Sequence, residues 1–460
     1  MCFLSSWLEK TVFSQLVEYL EKNRLIHPNL HGSRAGHSTA TALTQLFDTW
    51  ADEVEQGKMV GILLCDQSAA FDLCDHYLLI EKLRLMGVDD SAASWFSSYL
   101  TGRKQSCMVD GYLSSPVSIP QCGVPQRSIG GSILWLIFTC DLPDVIHNHC
   151  VDIKAPNRGC AVPSHGIRSI RQSDVGCGVM VGYVDDGAYS FAHNDPYVLS
   201  RVLSEKYAKL ADWMNENKLV NNSDTTQLVV MGKRKQNVSR ELVSMIAGGH
   251  VIKPSETGKL LGAQLHQNMD WRVHLRDHKA SLLNQLLSRI NGLRKVCVHA
   301  DFQTRLMVAN GVVISKLTYL ITLWGGASQY LINMLQVQQM TAARYVCGAG
   351  CWRWSRRRLL ARVGWLSVRQ LVFYHTVIQV HKTLNSGVPV PLFNSLLSDY
   401  QRVTSNAAAG NLRQVGKCSS TFRWRAVQFY NRVPVDVRSG SLDTVKFKLK
   451  RWVKENVPID

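Results

Sequence analysis

Two stretches far apart in the chain end in carboxylates, and each has the pattern of a buried strand. Met59-Val60-Gly61-Ile62-Leu63-Leu64-Cys65 is a continuous apolar run of strand length closed by Asp66, with Phe71-Asp72 just beyond. Val179-Met180-Val181-Gly182-Tyr183 reads as a second strand, Asp186-Gly187 carries turn chemistry and Ala188 to Ala192 reads as the return strand, so Asp185-Asp186 lies in the bend of a hairpin. If the two stretches pair, Asp66 meets Asp185. Carboxylates gathered at the edge of a buried sheet repel one another, and the arrangement is costly unless a divalent cation bridges them. Magnesium suits such a place, because it takes one or two carboxylates together with waters and phosphate oxygens. The plainer alternative is an exposed hairpin tip, for which Asp-Asp-Gly is a common sequence.

Around this centre, apolar residues at helical spacing predict helices over 9–22, 40–56, 76–86, 91–100 and 196–217, and strands are expected at 59–65, 107–109 and on both sides of the bend. Two further strands, 227–231 and 259–265, would close the sheet, and 233–244 reads as the boundary with the second half. Beyond Trp271 the periodicity is almost wholly helical, over 274–294, 302–323, 329–346 and 368–384, with 385–416 looser. The fold class is therefore α+β: an antiparallel sheet with helices, then a mostly helical region. At 460 residues and 46% hydrophobic content, the chain can build two or three domains with real cores.

Charge divides the chain near the same boundary. Residues 1–250 hold 22 Lys and Arg against 26 Asp and Glu, whereas residues 251–460 hold 30 against 9, which accounts for the net +17. A strongly basic second half implies a phosphate-rich partner, RNA or DNA, held with steep salt dependence. Within it, Trp352-Arg353-Trp354 with Arg356-Arg357-Arg358, and Arg423-Trp424-Arg425, interleave aromatics with cations as base-stacking surfaces do. Amphipathic helices that bury their tryptophans and solvate their arginines would show the same pattern. Thirteen cysteines, an odd number without paired spacing, imply a reduced intracellular setting, cytoplasmic or nuclear. His147, His149, Cys150, Cys160, His165 and Cys177 could gather zinc, but no Cys-x-x-Cys pair occurs there, and 155–178 reads as a surface insertion. No secretory signal is evident, and the apolar run Ile133 to Phe138 falls far short of the ~20 residues of a spanning helix, so no membrane partner is expected.

Several ordered landmarks go further. Asp66-Gln67-Ser68-Ala69-Ala70-Phe71-Asp72 is followed by Asp75-His76, then Trp95-Phe96-Ser97-Ser98-Tyr99 running to Gln105, then Gly123-Val124-Pro125-Gln126 with Ser128, and then the aspartate doublet. In type and order these resemble the palm motifs of the reverse transcriptases of non-LTR (LINE-like) retrotransposons. Gly32, Arg34 and Ser38-Thr39 resemble the family's fingers segment, Leu260-Leu261-Gly262 with Asp270-Trp271 resembles the approach to its thumb, and Gly364-Trp365-Leu366 with Tyr430-Asn431 is similar to its C-terminal region. The resemblance runs over most of the chain. It implies a right-hand polymerase, with palm and partial fingers over 1–250, palm-to-thumb and thumb over 251–300 and a basic helical C-terminal region over 301–460.

The resemblance also implies an activity: RNA-directed DNA synthesis on an RNA template from a DNA primer or target, with deoxynucleoside triphosphates and two Mg2+ ions, for which Mn2+ could substitute. Asp66 and Asp185 would be metal ligands and Asp186 the third catalytic carboxylate beside them. Phe71 would be the steric gate that excludes a 2′-hydroxyl, Gln126 would lie along the incoming nucleotide, and Arg34 would contact template or triphosphate. Arg353, Arg356, Arg357, Arg358, Arg423 and Arg425 would bind nucleic acid. The chain departs from the family at Arg127, where a glycine is expected, at Gly130-Gly131-Ser132, where the turn into the next helix is expected to loosen, and at Thr225, where a lysine general acid is expected. It opens within the helix 7–23, so an N-terminally shortened polymerase with no endonuclease ahead of it is the expectation. These departures keep a second reading open, an inactive remnant or a co-opted RNA- or DNA-binding protein.

Overall fold

The computed structural model describes residues 3–66, 70–126, 128–147, 178–220, 225–351, 353–397, 412 and 421–459, with the backbone alone at positions 3, 4, 66, 147 and 349. The proposed zinc ligands fall at the edge of or outside this set, as does Arg127. The chain forms two compact units, the first from 1–38, 58–230 and 235–255, the second from 39–57, 231–234 and 256–460. This differs from a division at residue 250, because the helix predicted over 40–56 belongs with the C-terminal unit.

The first unit is built on a five-stranded sheet. Its strands are β1 (Met59–Asp66), β2 (Val179–Tyr183), β3 (Asp186–His193), β4 (Gln227–Met231) and β5 (Pro254–Ser255), in the order β5-β4-β1-β3-β2. β1 runs antiparallel to β3, β3 antiparallel to β2, and β5 parallel to β4. The apolar run of β1 is explained by burial on both faces: Met59, Ile62 and Leu63 are all but inaccessible. Gly61 lets helix α1 (Pro196–Glu216) approach this strand, since a Cβ there would stand 2.7 Å from Leu203 Cδ1.

Helix α2 (Ile129–Phe138) runs through the core of the same unit with Trp135, Ile137 and Phe138 fully buried. With the turn that follows and most of the next helix, Leu142–His147, the stretch Ile129–Ile146 is long and apolar enough to cross a membrane by length and composition, yet 67% of it is buried. The expected loosening at Gly130-Gly131 is not found. Ser128 caps the helix by accepting the Gly131 N–H at 2.7 Å, while a Cβ on Gly130 would meet the Phe13 ring at 2.4 Å and one on Gly131 the Pro125 carbonyl at 2.0 Å. The glycine pair is what admits this packing.

In the second unit the segment 259–265 does not close the main sheet. It forms a separate hairpin, β6 (Thr257–Leu260) with β7 (Ala263–His266), whose two turn residues Leu261 and Gly262 have φ +46° and +77°. Positive φ at both positions is the type I′ pattern that fits the twist of paired strands. The Tyr319 hydroxyl donates to the Leu261 carbonyl at 2.8 Å and holds the turn. Helices dominate the rest, among them Thr39–Glu55, Leu282–Val296, Gln329–Cys347, Val368–Ser386, Phe422–Arg432 and Leu442–Asn456. The single helix expected over 302–323 is broken at Leu320, which takes φ +55° beside the Tyr319 carbonyl that accepts from the Trp324 indole. Many of these helices open on a side-chain cap: Ser281, Asp301, Ser355, Ser367, Thr421 and Ser441 each accept a backbone N–H of the first turn.

Candidate polymerase active site

The hairpin bend falls one step earlier than the sequence implies. β2 and β3 are closed by the pair Tyr183 and Asp186, so Val184-Asp185 forms a two-residue turn and Asp186 already belongs to the return strand. The register corrects the expected partner too: Asp66, at the end of β1, stands opposite Asp186 rather than Asp185. Paired Cα atoms in an antiparallel ladder lie about 4.5–5.5 Å apart, so the two strand ends bring these acidic positions together with Asp185 one residue away.

Val184 has φ +59°, whereas Asp185 does not enter the left-handed region. Positive φ at the first turn residue alone is the pattern that favours glycine there, and a β-branched residue holding it stores about 1–3 kcal/mol of strain. Three neighbours hold it. Leu30 bridges to Gly182, with His31 N–H donating to the Gly182 carbonyl at 2.8 Å. Gly32 lies so close that a Cβ would meet the Val184 nitrogen at 2.8 Å. The Trp135 indole donates to the Val184 carbonyl at 2.8 Å.

Asp185 and Asp186 are both exposed, and among the described residues the Asp185 carboxylate has no hydrogen-bond or ion-pair partner. Cys65, beside Asp66, is buried and hydrogen-bonded to Thr226, and burial pushes its thiol up to about 12, which leaves it an inert packing group. Among the described side chains, which do not include that of Asp66, no group of three possible metal ligands occurs. The chemistry of the donors nevertheless fits a divalent cation, because the exposed Asp185 carboxylate has no described cation to neutralise it and sits where the chain spends strain to hold it.

The Phe71-Asp72 segment and the 123–126 segment dock on each other. Val124 N–H donates to the Phe71 carbonyl and Gly123 N–H to that of Cys74, both at 2.8 Å. Gly123 takes φ +88° against the Asp72 backbone, and the His76 ring contacts the Gly123 carbonyl at 2.8 Å. Gln126 is exposed and its amide donates to Asp72 Oδ1 at 2.9 Å. Asp75 caps the helix His76–Leu85 and accepts from Lys218 at 2.7 Å. Partial burial alone would raise its carboxyl, but Lys218 and the first-turn N–H groups bring it below the usual range. Phe71 is half-buried, its ring stacked on Trp135 with centroids 5.8 Å apart.

Arg34 is not available to substrate. Its side chain is 5% exposed, and its guanidinium pairs with both oxygens of Glu21 at 2.6 and 2.9 Å and donates to the carbonyls of His27 and Leu30. With its fork spent on Glu21 and these carbonyls, it is a strut beneath the 29–32 segment that meets the hairpin.

In the second unit the two arginine groups separate. Arg353, Arg356, Arg357 and Arg358 are exposed, and Arg358 lies over the Trp354 ring at 4.3 Å. Arg423 and Arg425 are structural, contrary to the expectation. Arg423 grips both oxygens of Asp52 at 2.7 and 2.8 Å, and Arg425, 4% exposed, donates to the carbonyls of Thr322 and Leu323. Arginines that close helix ends inside a core read the same in sequence as arginines that face a phosphate. Thr225 is exposed. The residue that sequence reasoning missed is Trp135, since a tryptophan within an apolar helix gives no sign that its ring and its N–H serve two different elements.

A sheet of this order, with acidic residues at the end of its central strand and in the adjoining hairpin, is the palm of a nucleotide polymerase. Residues 2–265, more than half of the chain, match the family described as reverse transcriptase (RNA-dependent DNA polymerase), and the chain belongs to that family. Among curated proteins it is 22% identical over 346 residues to the RNA-directed DNA polymerase from mobile element jockey of Drosophila funebris. It is 24% identical over 364 residues to the probable RNA-directed DNA polymerase from transposon BS of Drosophila melanogaster. Each alignment covers 75% of this chain and 35% of the relative, so the chain spans about a third of the length of the proteins it matches. The likeness to non-LTR elements read from the motifs thus extends over three quarters of the chain. Among solved structures, apo telomerase from Candida tropicalis aligns at 10% identity with a TM-score of 0.41, covering 84% of this chain and 61% of that one.

Proposed function

We propose that this chain carries out RNA-directed DNA synthesis for a non-LTR element, extending a DNA primer on an RNA template with deoxynucleoside triphosphates. The observation that carries the reading is the register that sets Asp66 opposite Asp186, with Asp185 exposed at the strained tip beside them. Asp66 and Asp185 would hold the metal ions, with Asp186 completing the acidic rim. Bound there, two magnesium ions, or manganese in their place, would lower the pKa of a primer 3′-hydroxyl and hold the triphosphate. Phe71, fixed from behind by Trp135, would close the space beside the sugar and favour deoxynucleotides. Gln126, oriented by Asp72, would lie along the nucleotide. In the second unit, Arg353, Arg356, Arg357 and Arg358 would hold phosphate backbone as exposed cations with an aromatic neighbour. Free thiols at all eight described cysteines fit an intracellular setting, cytoplasmic or nuclear. Primer extension on an RNA template with magnesium tests this: the parent extends and Asp185→Asn does not. A parent that never extends, or an Asp185→Asn chain that extends as well as the parent, overturns it.

A further inference from the structure

Trp135 is fully buried in the middle of α2 and carries no charge, yet it meets two elements that approach the candidate site from different parts of the sequence. Its ring stacks on Phe71 at 5.8 Å with the planes 26° apart, and on Phe138 behind at the same spacing. Its Nε1–H donates at 2.8 Å to the carbonyl of Val184. A buried indole N–H needs an acceptor. The one it takes belongs to a residue of a two-residue turn, outside the ladder pairs of β2 and β3, and in the left-handed region that valine avoids. The void between Leu30, Gly32, Leu136 and Val184 is only about 10 Å³, room for a single water at most, so the turn cannot sink inward without moving the indole.

We propose that Trp135 is a positioning residue that joins sugar selection to carboxylate placement: one rigid indole sets the plane of Phe71 and the height of the turn that carries Asp185. Displacement of the Phe71 ring by a ribose hydroxyl would then be transmitted through the stack to the Val184 carbonyl and so to the acidic tip. The inference rests on the polymerase reading of this site, but its mechanical part is open to measurement without catalysis.

The experiment compares amide hydrogen exchange across 179–193 in the full chain, in Trp135→Phe, which keeps an aromatic ring and removes the donor, and in Phe71→Leu, which keeps the indole and removes its stacking partner. Loss of the donor should speed exchange at the hairpin about tenfold, the worth of one hydrogen bond, and by more than in β4 on the far side of β1. Phe71→Leu should speed it several-fold through the same indole. In primer extension both variants should admit ribonucleotides more readily than the parent. Unchanged hairpin exchange in Phe71→Leu overturns the coupling, and that arm decides alone if Trp135→Phe fails to fold. Faster exchange with unaltered sugar preference overturns the selectivity half. A parent that extends no primer defeats the polymerase reading instead, and the exchange measurements still decide the coupling.

Discussion

Asp185 and Asp186 stand exposed at a strained hairpin tip in the first unit, whereas in the second unit Asp48 and Asp52, on the helix Thr39–Glu55, are closed over by the helix Phe422–Arg432. Asp48 is buried, and its two oxygens accept the N–H groups of Phe422 and Arg423 at 3.0 and 3.1 Å, while Asp52 takes the Arg423 guanidinium. Burial pushes the Asp48 carboxyl up to about 6, against the pull of Arg423, Arg425 and the two N–H groups. One pair of acids is satisfied by the protein itself. At the other, the Asp185 carboxylate has no described partner. A carboxylate left exposed without a described cation is open to a counter-charge from outside the chain, whereas one closed over by a helix is not.

The sharpest way to break the comparison is at the buried pair. Arg425→Ala should cost the second unit about 3 kcal/mol by leaving the buried Thr322 and Leu323 carbonyls without their donor and removing one of the two cations that oppose Asp48, read as a lowered urea midpoint. Asp185→Asn should do the opposite, leaving the melting temperature within a degree or two while cutting primer extension more than about a hundredfold, since even outer-shell partners of a metal are worth ten- to a hundredfold. Loss of stability in that variant would place Asp185 among the struts.

Asp48 gives a pH signature. Its folded carboxyl at about 6 lies above the ordinary 3.8, so between these values the folded state holds more protons than the unfolded one, and stability falls as pH rises through that window and is level above it. The fall should be on the order of 2–3 kcal/mol in urea titrations of the second unit, and Asp48→Asn should flatten it. The smallest effect concerns the exposed cluster. Replacing Arg356, Arg357 and Arg358 by alanine should weaken RNA binding and lower the salt slope by about 0.7 per lost phosphate contact, without moving the urea midpoint. An unchanged slope would remove these residues from the nucleic-acid surface.

Much of this was legible in the sequence, and what was not has physical causes. The central strand showed as an uninterrupted apolar run because β1 is covered on both faces, and its pairing with the aspartate hairpin followed. The turn was placed a step late because Asp-Gly is the residue pair that turns prefer, while the real turn begins at a valine that only surrounding contacts can hold at positive φ. The three acidic positions were readable from motif order, but Gln126 and Phe71 acquire their orientation from Asp72 and Trp135, partners that periodicity does not reveal. Arg34, Arg423 and Arg425 were misread because a guanidinium spent on a carboxylate or a helix-end carbonyl has the same sequence neighbours as one offered to phosphate.

The excursion of residues 39–57 into the second unit has a practical side. The chain leaves the first unit after Ser38, contributes a helix to the other and returns at Lys58, so neither unit is a single contiguous length of polypeptide. Cutting between them in the usual manner, near residue 255, would yield a downstream piece without the acids that seat Arg423, and its core would lack Trp50 and Leu46. During synthesis, too, that early helix must wait for about 370 further residues before the helix Phe422–Arg432 that covers its acids has been made.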